Sequence, residues 1–375
     1  MTIGFDGSRA FGNKRTGTEN YSYQLLKALA KIDHNNSYIV YVRKLPTVNY
    51  KLPTNFLIKK ISWPRLWTQG GLAVQTFKDD LDVLFVPSHT LPIIRRPGLK
   101  TVMTVHDLGA EYLPKMHQLK QQLYLKYITK YQLRSATKLI AVSKATKEDL
   151  IKKVGVDEKK ISVVYEGVGQ EKFKYQISNI KTDPLVNGLI PFFLSVGTIQ
   201  PRKNLARLIQ AFSLFVDRYS LGSDEKRKTK NEFNLAIVGS KGWDSDRIYE
   251  LPKKLGIEGR VKFLGYVPDE KMPALYSNAL ALVFPSLFEG FGLPILEAQA
   301  SGCPVITSNI SSMPEVAGKG AILVDPMSTS DIVKGMNDIL NKEVRNKLIK
   351  DGYENIKRFS WEKAARETME VLENV

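Results

Sequence analysis

Short apolar runs alternate with longer amphipathic segments along the chain, and the whole scheme occurs twice. The strand-like runs of the first half are IGFDG, SYIVYVR, VLFVPS, TVMTVHD, KLIAVS and ISVVYEG. Those of the second half are PFFLSVG, NLAIVG, VKFLG, ALVFPS, PVITS and AILVD. Segments such as TENYSYQLLKALAKI and KATKEDLIKKVG lie between runs and predict helices. This order is typical of parallel sheets with crossover helices.

The alternation stops between the two halves. A polar stretch with proline and glycine, EKFKYQISNIKTDPLVNGLI, replaces it, so we place a domain boundary around residues 172–190. The predicted fold class is α/β, with two doubly wound, Rossmann-like domains that face a central cleft. In open sheets of this kind ligands bind beyond the carboxyl ends of the strands. Residues that directly follow a strand are therefore the candidates for function.

Several classes of protein have little support. No apolar stretch approaches the roughly 18 residues of a membrane span, and the first residues lack a secretory signal. The single cysteine, Cys303, excludes an internal disulfide and is predicted to be a small buried core residue. The chain has no GxxxxGK[ST] loop, and its first glycines do not have the dinucleotide-binding spacing.

The charge balance is strongly basic. The chain has 55 lysines and arginines against 38 acidic residues, a net charge of +17. Such an excess favours partners that bear phosphate groups, which are nucleic acid, an anionic membrane surface or a nucleotide substrate. The charge alone does not choose among them.

One candidate motif is SVGTIQPRKNLARLIQAF. A loop after the strand presents Arg202 and Lys203, and Asn204 is predicted to cap the helix that follows. Two cations beside a helix N-terminus suit a diphosphate, because the free N–H groups and the helix dipole add to their charge. Taken alone, the same residues also fit an ordinary solvated loop.

The second motif is FEGFGLPILE, from Phe288 to Glu297. Glu289 follows a strand, the glycines allow close approach of the backbone, and Pro294 suits the first turn of a helix. Glu297 lies one turn inside that helix. Two carboxylates on either side of a helix start can bind different hydroxyl groups of one ligand, while the amides between them meet its phosphates.

These motifs resemble the retaining glycosyltransferases of family 4, or group 1, which have the two-domain GT-B fold. The resemblance covers nearly the whole chain, through RTGTENY, TVHDL, GTIQPRKN, FLGYVPDEKMPALYSNA, EGFGLPILEAQASGCPVI, SSMPEV and FSWEKAA. The PRKN form, with RLWTQGGLAV and VPSHTLP, is most similar to a mannosyltransferase-like subgroup.

The resemblance implies an organisation and an activity. Residues 1–180 would bind the acceptor, residues 181–357 the nucleotide sugar, and the helix in residues 358–375 would pack back on the first domain. The enzyme would move a hexose, with mannose favoured, from a nucleoside-diphosphate sugar to a hydroxyl group of a glycan or a lipid-linked acceptor. GDP-mannose is the favoured donor and a UDP-hexose the second; neither a cofactor nor a metal is expected.

The resemblance also implies roles for single residues. Those implied in catalysis are His106 near the anomeric centre, Glu289 on the sugar hydroxyls, and Arg202 and Lys203 on the diphosphate. Those implied in donor binding are Gly17, Val267 at the base, Phe291, Gly292, Leu293, and Glu297 on the ribose. Transfer would occur on one face of the sugar with retention, and the leaving diphosphate would help to deprotonate the acceptor. Thr198 stands where many relatives have arginine, and Arg202 is expected to compensate for it in the phosphate contact.

A basic, tyrosine-rich segment, LKQQLYLKYITKYQLRSATK, reads as a helix with cations at Lys120, Lys126, Lys130 and Arg134 and with tyrosines at Tyr124, Tyr127 and Tyr131. Such a surface suits an anionic bilayer, although a core-packed helix with solvated lysines fits the pattern equally. We expect a cytoplasmic protein, which in the membrane interpretation is peripheral on the inner face of the plasma membrane.

Two other functions stay open from the sequence. A sugar-nucleotide epimerase can share the two-domain architecture, but the FEGFGLPILE block argues against it. A nucleic-acid-binding protein would use the net charge, but it expects stacking aromatics in a basic groove or a recognisable module, and none is evident. We therefore expect no nucleic acid partner.

Overall fold

The structure of the chain is a computed structural model that describes residues 1–12, 17–46, 52–63, 65–88, 90–108, 125–169, 186–220 and 233–375. The chain divides into two compact units. The first comprises Met1–Gly167 together with Phe359–Val375, and the second comprises Val168–Arg358. Each unit is built around its own parallel sheet.

Seven parallel strands form the sheet of the first unit. They are β1 (Thr2–Asp6), β2 (Ser37–Val42), β3 (Phe56–Lys60), β4 (Val83–Val86), β5 (Lys100–Val105), β6 (Lys138–Ala141) and β7 (Ile161–Val163). Their order across the sheet is β3-β2-β1-β4-β5-β6-β7. The central strands are apolar on both sides because helices cover both faces of such a sheet.

The helices of the first unit begin with α1 (Gly17–Ile32), α2 (Ala73–Lys78), α3 (Lys130–Ser135) and α4 (Lys144–Asp149). π-helical turns adjoin the shorter ones: Thr68–Leu72 before α2, Leu125–Thr129 before α3 and Leu150–Val154 after α4. Helix α1 buries Tyr21, Leu25 and Leu29, which share one face at helical spacing. The predicted helix TENYSYQLLKALAKI is therefore present.

The second unit has a six-stranded parallel sheet. Its strands are β8 (Phe192–Val196), β9 (Asn234–Val238), β10 (Val261–Gly265), β11 (Leu282–Phe284), β12 (Val305–Ser308) and β13 (Ala321–Val324). Their order is β10-β9-β8-β11-β12-β13. The strand order reverses direction next to β8, so the loops after β8 and β11 lie side by side at the carboxyl edge of the sheet.

Helices cover the sheet of the second unit. They are α5 (Leu205–Ser220), α6 (Asp246–Lys254), α7 (Met272–Asn278), α8 (Leu293–Ala300), α9 (Met313–Ala317), α10 (Thr329–Asp338) and α11 (Lys342–Asn355). Helix α5 buries an apolar face that includes Leu208 and Phe212. Cys303 is a buried free thiol, and burial raises the pKa of this group to about 12. Its predicted place in the core is confirmed.

The C-terminal helix α12 (Trp361–Glu373) belongs to the first unit and packs against α1. Its N-cap is Ser360, whose hydroxyl accepts a hydrogen bond of 3.1 Å from the backbone N–H of Lys363. Near its other end, the Asn36 side-chain amide donates to Glu373 over 3.3 Å. Helix α12 thus packs on α1, which lies far from it in the sequence.

The α/β class with two parallel, Rossmann-like sheets is confirmed. Strand β3, with the sequence FLIKK, was missed: it lies at the sheet edge, pairs only with β2, and its lysines interrupt the apolar run. The predicted boundary between residues 180 and 181 falls outside the described residues and stays a prediction. The predicted central cleft between the two domains also stays a prediction. Among the described residues, no helix combines the length and the apolar character needed to cross a membrane.

Candidate functional site

Two loops meet at the carboxyl edge of the second sheet. One follows β8 and contains a short 3₁₀ turn, Pro201–Lys203; the other follows β11 and leads into α8. Because β8 and β11 are paired neighbours, the loops lie next to each other, and the backbone N–H of Leu287 donates to the carbonyl of Arg202 over 2.9 Å. The sheet topology therefore brings together the two motifs that the sequence places far apart.

Glu289 forms ion pairs with both predicted diphosphate-binding cations. Its Oε2 lies 2.6 Å from Nη1 of Arg202, and its Oε1 lies 2.6 Å from Nζ of Lys203. Arg202 Nη1 also donates to the carbonyl of Phe288 over 2.8 Å. The exposed fractions of the three side chains are 18% for Arg202, 11% for Lys203 and 9% for Glu289. They form a half-enclosed cluster with two positive charges and one negative charge.

The electrostatics of the cluster favour its ionised form. Burial would raise the pKa of the Glu289 carboxyl, but the charges of Lys203 and Arg202 outweigh it and lower the pKa. The Lys203 ammonium also lies 4.7 Å from the centre of the Phe284 ring, over its face. Because Glu289 is held as an anion by two cations, it is poorly suited to act as a free nucleophile.

Asn204 fixes the loop after β8 in a way that the sequence did not reveal. Its backbone is left-handed, with φ 58°, a conformation that asparagine tolerates. Its amide donates to the carbonyls of Pro285 over 3.0 Å and Pro326 over 2.7 Å. Helix α5 does start directly after Asn204, but the hydrogen bonds of the side chain tie the loop to two others. The prediction of a capping side chain is wrong because Oδ1 of Asn204, the atom that would cap α5, accepts a hydrogen bond of 2.8 Å from Nη1 of Arg207 instead.

The start of α8 has the predicted construction. Gly292 has φ 112° and precedes the helix, and Pro294 lies in its first turn. The backbone carbonyls of Glu289 and Phe291 accept hydrogen bonds of 2.9 and 2.7 Å from the Ser312 hydroxyl. The Ser311 hydroxyl donates to the same Glu289 carbonyl over 2.6 Å. These serines were not predicted to support the loop; they precede α9 in SSMPEV.

Glu297 lies on α8, half-buried, and accepts a hydrogen bond of 2.8 Å from the Tyr276 hydroxyl. Tyr276 is fully buried on α7, and its burial, together with the nearby Glu297 charge, raises its pKa well above the usual range. The phenol therefore stays a donor to Glu297. Sequence reasoning missed Tyr276, whose only signal is its place in the block PALYSNA.

The remaining donor-binding candidates of the second unit border the same edge. Val267 follows β10 and is 6% exposed, and Phe291 is 5% exposed. Leu293 is half-buried and opens α8. The structure thus places these residues after strands of one sheet or at one helix start, and their contacts with a base or a phosphate stay predictions.

The first unit contains the other two candidates. His106 directly follows β5 and has 12% of its side chain exposed. Its Nδ1 lies 3.2 Å from Oε1 of Glu166, and its Nε2 lies 3.1 Å from the carbonyl oxygen of Pro87. Gly17 opens α1, and a Cβ atom built on it would meet no described atom within 4 Å. Sequence reasoning missed Glu166, the partner of His106.

Comparison with known families agrees with this geometry. A family model described as Glycosyl transferases group 1 matches residues 176–355. A second, described as Glycosyltransferase Family 4, matches residues 15–172. The chain belongs to glycosyltransferase family 4. Membership in this family favours a transferase over the epimerase and over the nucleic-acid-binding protein.

Relatives within family 4 include two proteins named as O-antigen mannosyltransferases. The O-antigen chain mannosyltransferase B of Escherichia coli is 29% identical over 286 residues, which cover 72% of this chain and 69% of that protein. The O-antigen chain mannosyltransferase RfbU of Salmonella typhimurium is 28% identical over 328 residues, covering 84% of each. Anabaena HepE, solved in complex with UDP and glucose, has a TM-score of 0.75 at 17% identity, covering 100% of both chains. This structural likeness confirms the GT-B fold.

The family 4 chain has no cluster of three or more histidine, cysteine, aspartate or glutamate side chains suited to a metal ion within its described part. The acidic side chains at the carboxyl edge of the second sheet are instead held by protein donors. Glu289 binds two cations and Glu297 binds a phenol. The phosphates of a ligand could replace the Glu289 carboxylate as partners of Arg202 and Lys203.

Proposed function

We propose that this protein transfers a hexose, with mannose favoured, from a nucleoside-diphosphate sugar to a hydroxyl group of a glycan or lipid-linked acceptor. The observation that carries the proposal is the cluster of Arg202, Lys203 and Glu289 beside the start of α8. Two cations suit a diphosphate, and the positive end of the α8 dipole adds to their field. The names of the two O-antigen relatives support mannose, and HepE with UDP and glucose supports a nucleotide-sugar donor.

In this proposal each candidate has one role. Arg202 and Lys203 bind the diphosphate, Glu289 binds hydroxyl groups of the donor sugar, and Glu297 binds the ribose. The backbone of Phe291, Gly292 and Leu293 closes on the sugar and the phosphates, and Val267 contacts the base. In the first unit, Gly17 lies near the phosphates and His106 near the anomeric carbon.

The reaction we propose retains the configuration of the sugar. The bond from the anomeric carbon to the diphosphate oxygen breaks, and the acceptor oxygen forms its bond on the same face. The acceptor proton passes to the leaving diphosphate, whose negative charge Arg202 and Lys203 stabilise. Two ion pairs hold Glu289, which argues against the double displacement of retaining hydrolases, where a free carboxylate attacks the sugar. No step in this scheme requires a metal.

A ligand panel tests the donor. The wild-type protein is heated with GDP, UDP, ADP, GDP-mannose, UDP-glucose or UDP-N-acetylglucosamine, and its unfolding is followed. A ligand at 100 times its Kd stabilises the folded state by about 2.7 kcal/mol and so raises the Tm. We expect GDP and GDP-mannose to raise it most, because GDP-mannose is the favoured donor. A response to UDP compounds alone would change the donor to a UDP-hexose. No response to any compound at millimolar concentration would contradict the proposed donor site.

The Tyr276 hydroxyl is predicted to hold Glu297 ready for the ribose. In Tyr276→Phe the ring still fills its buried site, but Glu297 loses its phenol donor. A hydrogen bond to a charged group contributes about 1.5–3 kcal/mol, so we expect nucleotide affinity to fall by about tenfold or more, measured by calorimetry. Tyr249→Phe, in a half-buried ring that contacts Phe263, is the matched control in the same unit. Equal affinity of the Tyr276 variant and wild type would remove Glu297 orientation from the proposal.

We also propose that the protein associates with an anionic membrane surface through the tyrosine-rich segment. Residues 119–124 of the predicted helix, which include Lys120 and Tyr124, lie outside the described residues, as does the side chain of Lys126. Leu125–Thr129 forms a π-helical turn, and Lys130–Ser135 forms α3. Tyr127, Lys130, Tyr131, Arg134 and Ser135 line a surface depression of about 510 Å³.

Two features of this depression favour a bilayer. The Tyr127 and Tyr131 rings are 64% and 55% exposed, which core-packed rings would not be. Lys130 donates to the carbonyl of Lys153 over 3.1 Å and Arg134 to that of Val154 over 2.9 Å, so protein hydrogen bonds fix both cations beside the rings. Exposed aromatics with neighbouring cations suit an anionic lipid interface. Peripheral binding to the inner face of the plasma membrane would then bring the enzyme to a lipid-linked acceptor.

Vesicle flotation tests this surface. We expect weak binding to vesicles with anionic lipids at low salt and its loss at high salt, because a Debye length of about 3 Å at 1 M screens the attraction. The double variant Tyr127→Ala/Tyr131→Ala should bind several-fold less. Phe77→Ala, which removes a ring that is 54% exposed elsewhere in the first unit, is the control. Wild-type protein that does not bind anionic vesicles at low salt would contradict the membrane proposal.

A further inference from the structure

The contacts of His106 determine where its protons lie. Nε2 faces the carbonyl oxygen of Pro87, which has no proton to give, so Nε2 must donate. Nδ1 faces a carboxylate oxygen of Glu166, and a carboxylate also only accepts. Both ring nitrogens therefore carry protons when Glu166 is ionised. A neutral imidazole would place one lone pair against an oxygen atom.

We propose that Glu166 is a positioning residue that keeps His106 as a buried imidazolium, with the orientation of its ring fixed. The inference rests on the proposed function, in which His106 lies close to the anomeric carbon and the leaving diphosphate. There a doubly protonated ring supplies positive charge, whereas a neutral ring would supply none. Glu166 acts through His106 and does not itself contact the donor.

The surroundings of the pair restrain both partners. The His106 ring meets the edge of Tyr21 at 4.6 Å with an interplanar angle of 85°, and the Tyr21 hydroxyl lies 3.2 Å from the Thr104 hydroxyl. Tyr21 in turn contacts the ring of Trp361, at the start of α12, at 5.8 Å. The imidazole is thus packed by α1, and α1 is packed by the C-terminal helix.

The residue after Glu166 is restrained by the same helix. A Cβ atom built on Gly167 would lie 2.2 Å from the backbone nitrogen of Trp361, so only glycine permits this approach. The Tyr165 ring, on the other side of Glu166, meets the edge of Phe359 at 5.5 Å. The motif FSW therefore sets the position of the chain that carries Glu166, which gives the motif a role that the donor site does not supply.

Within the described residues, the charged and titratable groups around His106 are Glu166, Asp107 and Tyr21. Burial would lower the pKa of His106, but the hydrogen bond and charge of Glu166 outweigh it, and the pKa is raised from 6.5. The raised pKa of His106 makes the stability of the fold depend on pH. The pair stabilises the fold fully below the unfolded-state pKa near 6.5, and this contribution is lost as the pH rises through the higher folded-state pKa.

Nitrogen NMR of the full chain tests the inference without any donor. The sequence contains 4 histidines, so labelling with ¹⁵N-histidine yields few signals, and His106→Asn identifies the one sought. We expect both His106 nitrogens to be protonated at neutral pH in the wild type. In Glu166→Gln the midpoint of its titration should fall by at least about one pH unit, a tenfold change in proton affinity. Glu158→Gln, at a 68% exposed glutamate of the same unit, should leave it unchanged.

Activity supplies a second readout. Transfer by Glu166→Gln should fall at neutral pH and recover towards acid pH, where His106 regains its second proton; a merely structural defect would not recover. Glu166→Asp, which keeps the charge, should restore part of the neutral-pH activity and serves also if the glutamine variant does not fold. A wild-type His106 with one protonated nitrogen at neutral pH, or an unchanged midpoint in the glutamine variant, overturns the inference. Failure of the donor panel with a doubly protonated His106 would instead reject only the proposed function.

Discussion

Glu289→Gln should lose most of its transfer activity while binding a nucleoside diphosphate more tightly than the wild type. In the ligand-free unit the Glu289 carboxylate neutralises Arg202 and Lys203, both within 2.6 Å of it, so a diphosphate must compete with it. Glutamine keeps the shape and removes that competition. It also removes the anionic acceptor for the sugar hydroxyls, and loss of one such positioned group typically lowers kcat by about 10²–10³.

Stability should change in the opposite direction to nucleotide affinity. Removing one partner of a buried ion pair costs about 3–5 kcal/mol, so the free variant should unfold at a lower temperature. Added nucleotide should then raise its Tm more than it raises that of the wild type. Glu250→Gln, which removes an exposed pair with Lys254, is the control and should change neither property.

Calorimetry with the nucleoside diphosphate and a transfer assay with the sugar nucleotide separate these effects. A variant with weaker diphosphate binding and reduced transfer would show that Glu289 only orients the two cations. A variant with normal transfer would remove Glu289 from the reaction. The first of these outcomes would also contradict the competition between the carboxylate and the diphosphate.

Lys203→Ala should weaken diphosphate binding by roughly 10- to 100-fold, since a hydrogen bond to a charged group contributes about 1.5–3 kcal/mol. The Lys203 side chain is 11% exposed, so water screens its charge only weakly. The loss should appear for every nucleoside diphosphate of the panel, because the ammonium contacts the phosphates and not the base. Arg202→Ala should act in the same direction and also release the Phe288 carbonyl.

The matched control for Lys203→Ala is Lys254→Ala, which removes an equal charge at a 64% exposed position in the same unit. It separates direct phosphate contact from a general loss of positive field. Similar losses in both variants would mean that the net charge of the unit, and not the PRKN loop, attracts the nucleotide. An unchanged affinity in Lys203→Ala would remove the lysine from the donor site.

The strands of the second unit could be predicted well because a parallel sheet covered on both faces requires continuous apolar runs. Strand β3 could not, because an edge strand covered less completely tolerates the lysines of FLIKK. The residues of the two motifs could also be chosen in advance, since each follows a strand. The ion pairs between the two motifs could not be predicted, because they depend on β8 lying beside β11. No local sequence pattern indicates the order of the strands in a sheet.

The supporting residues were harder to predict for a related reason. Tyr276, Ser312 and Glu166 each act on a partner far away in sequence, and none lies in a motif whose spacing implies a contact. Glu166 had the clearest available signal, since it follows β7 at the same sheet edge as His106. A glutamate and a histidine that both follow strands of one sheet could have been proposed as a pair.

The place of α12 in the first unit has a consequence for biosynthesis. During synthesis the second unit, Val168–Arg358, leaves the ribosome before the residues that complete the first unit. Until Phe359–Val375 has been made, Tyr21 lacks the Trp361 ring and Gly167 lacks its neighbour. In the nascent first unit, the surfaces of Tyr21 and Gly167 that contact Trp361 therefore stay uncovered until the C-terminal helix is made. Stalling before residue 359 would therefore leave a first unit that lacks the packing of α12 against α1.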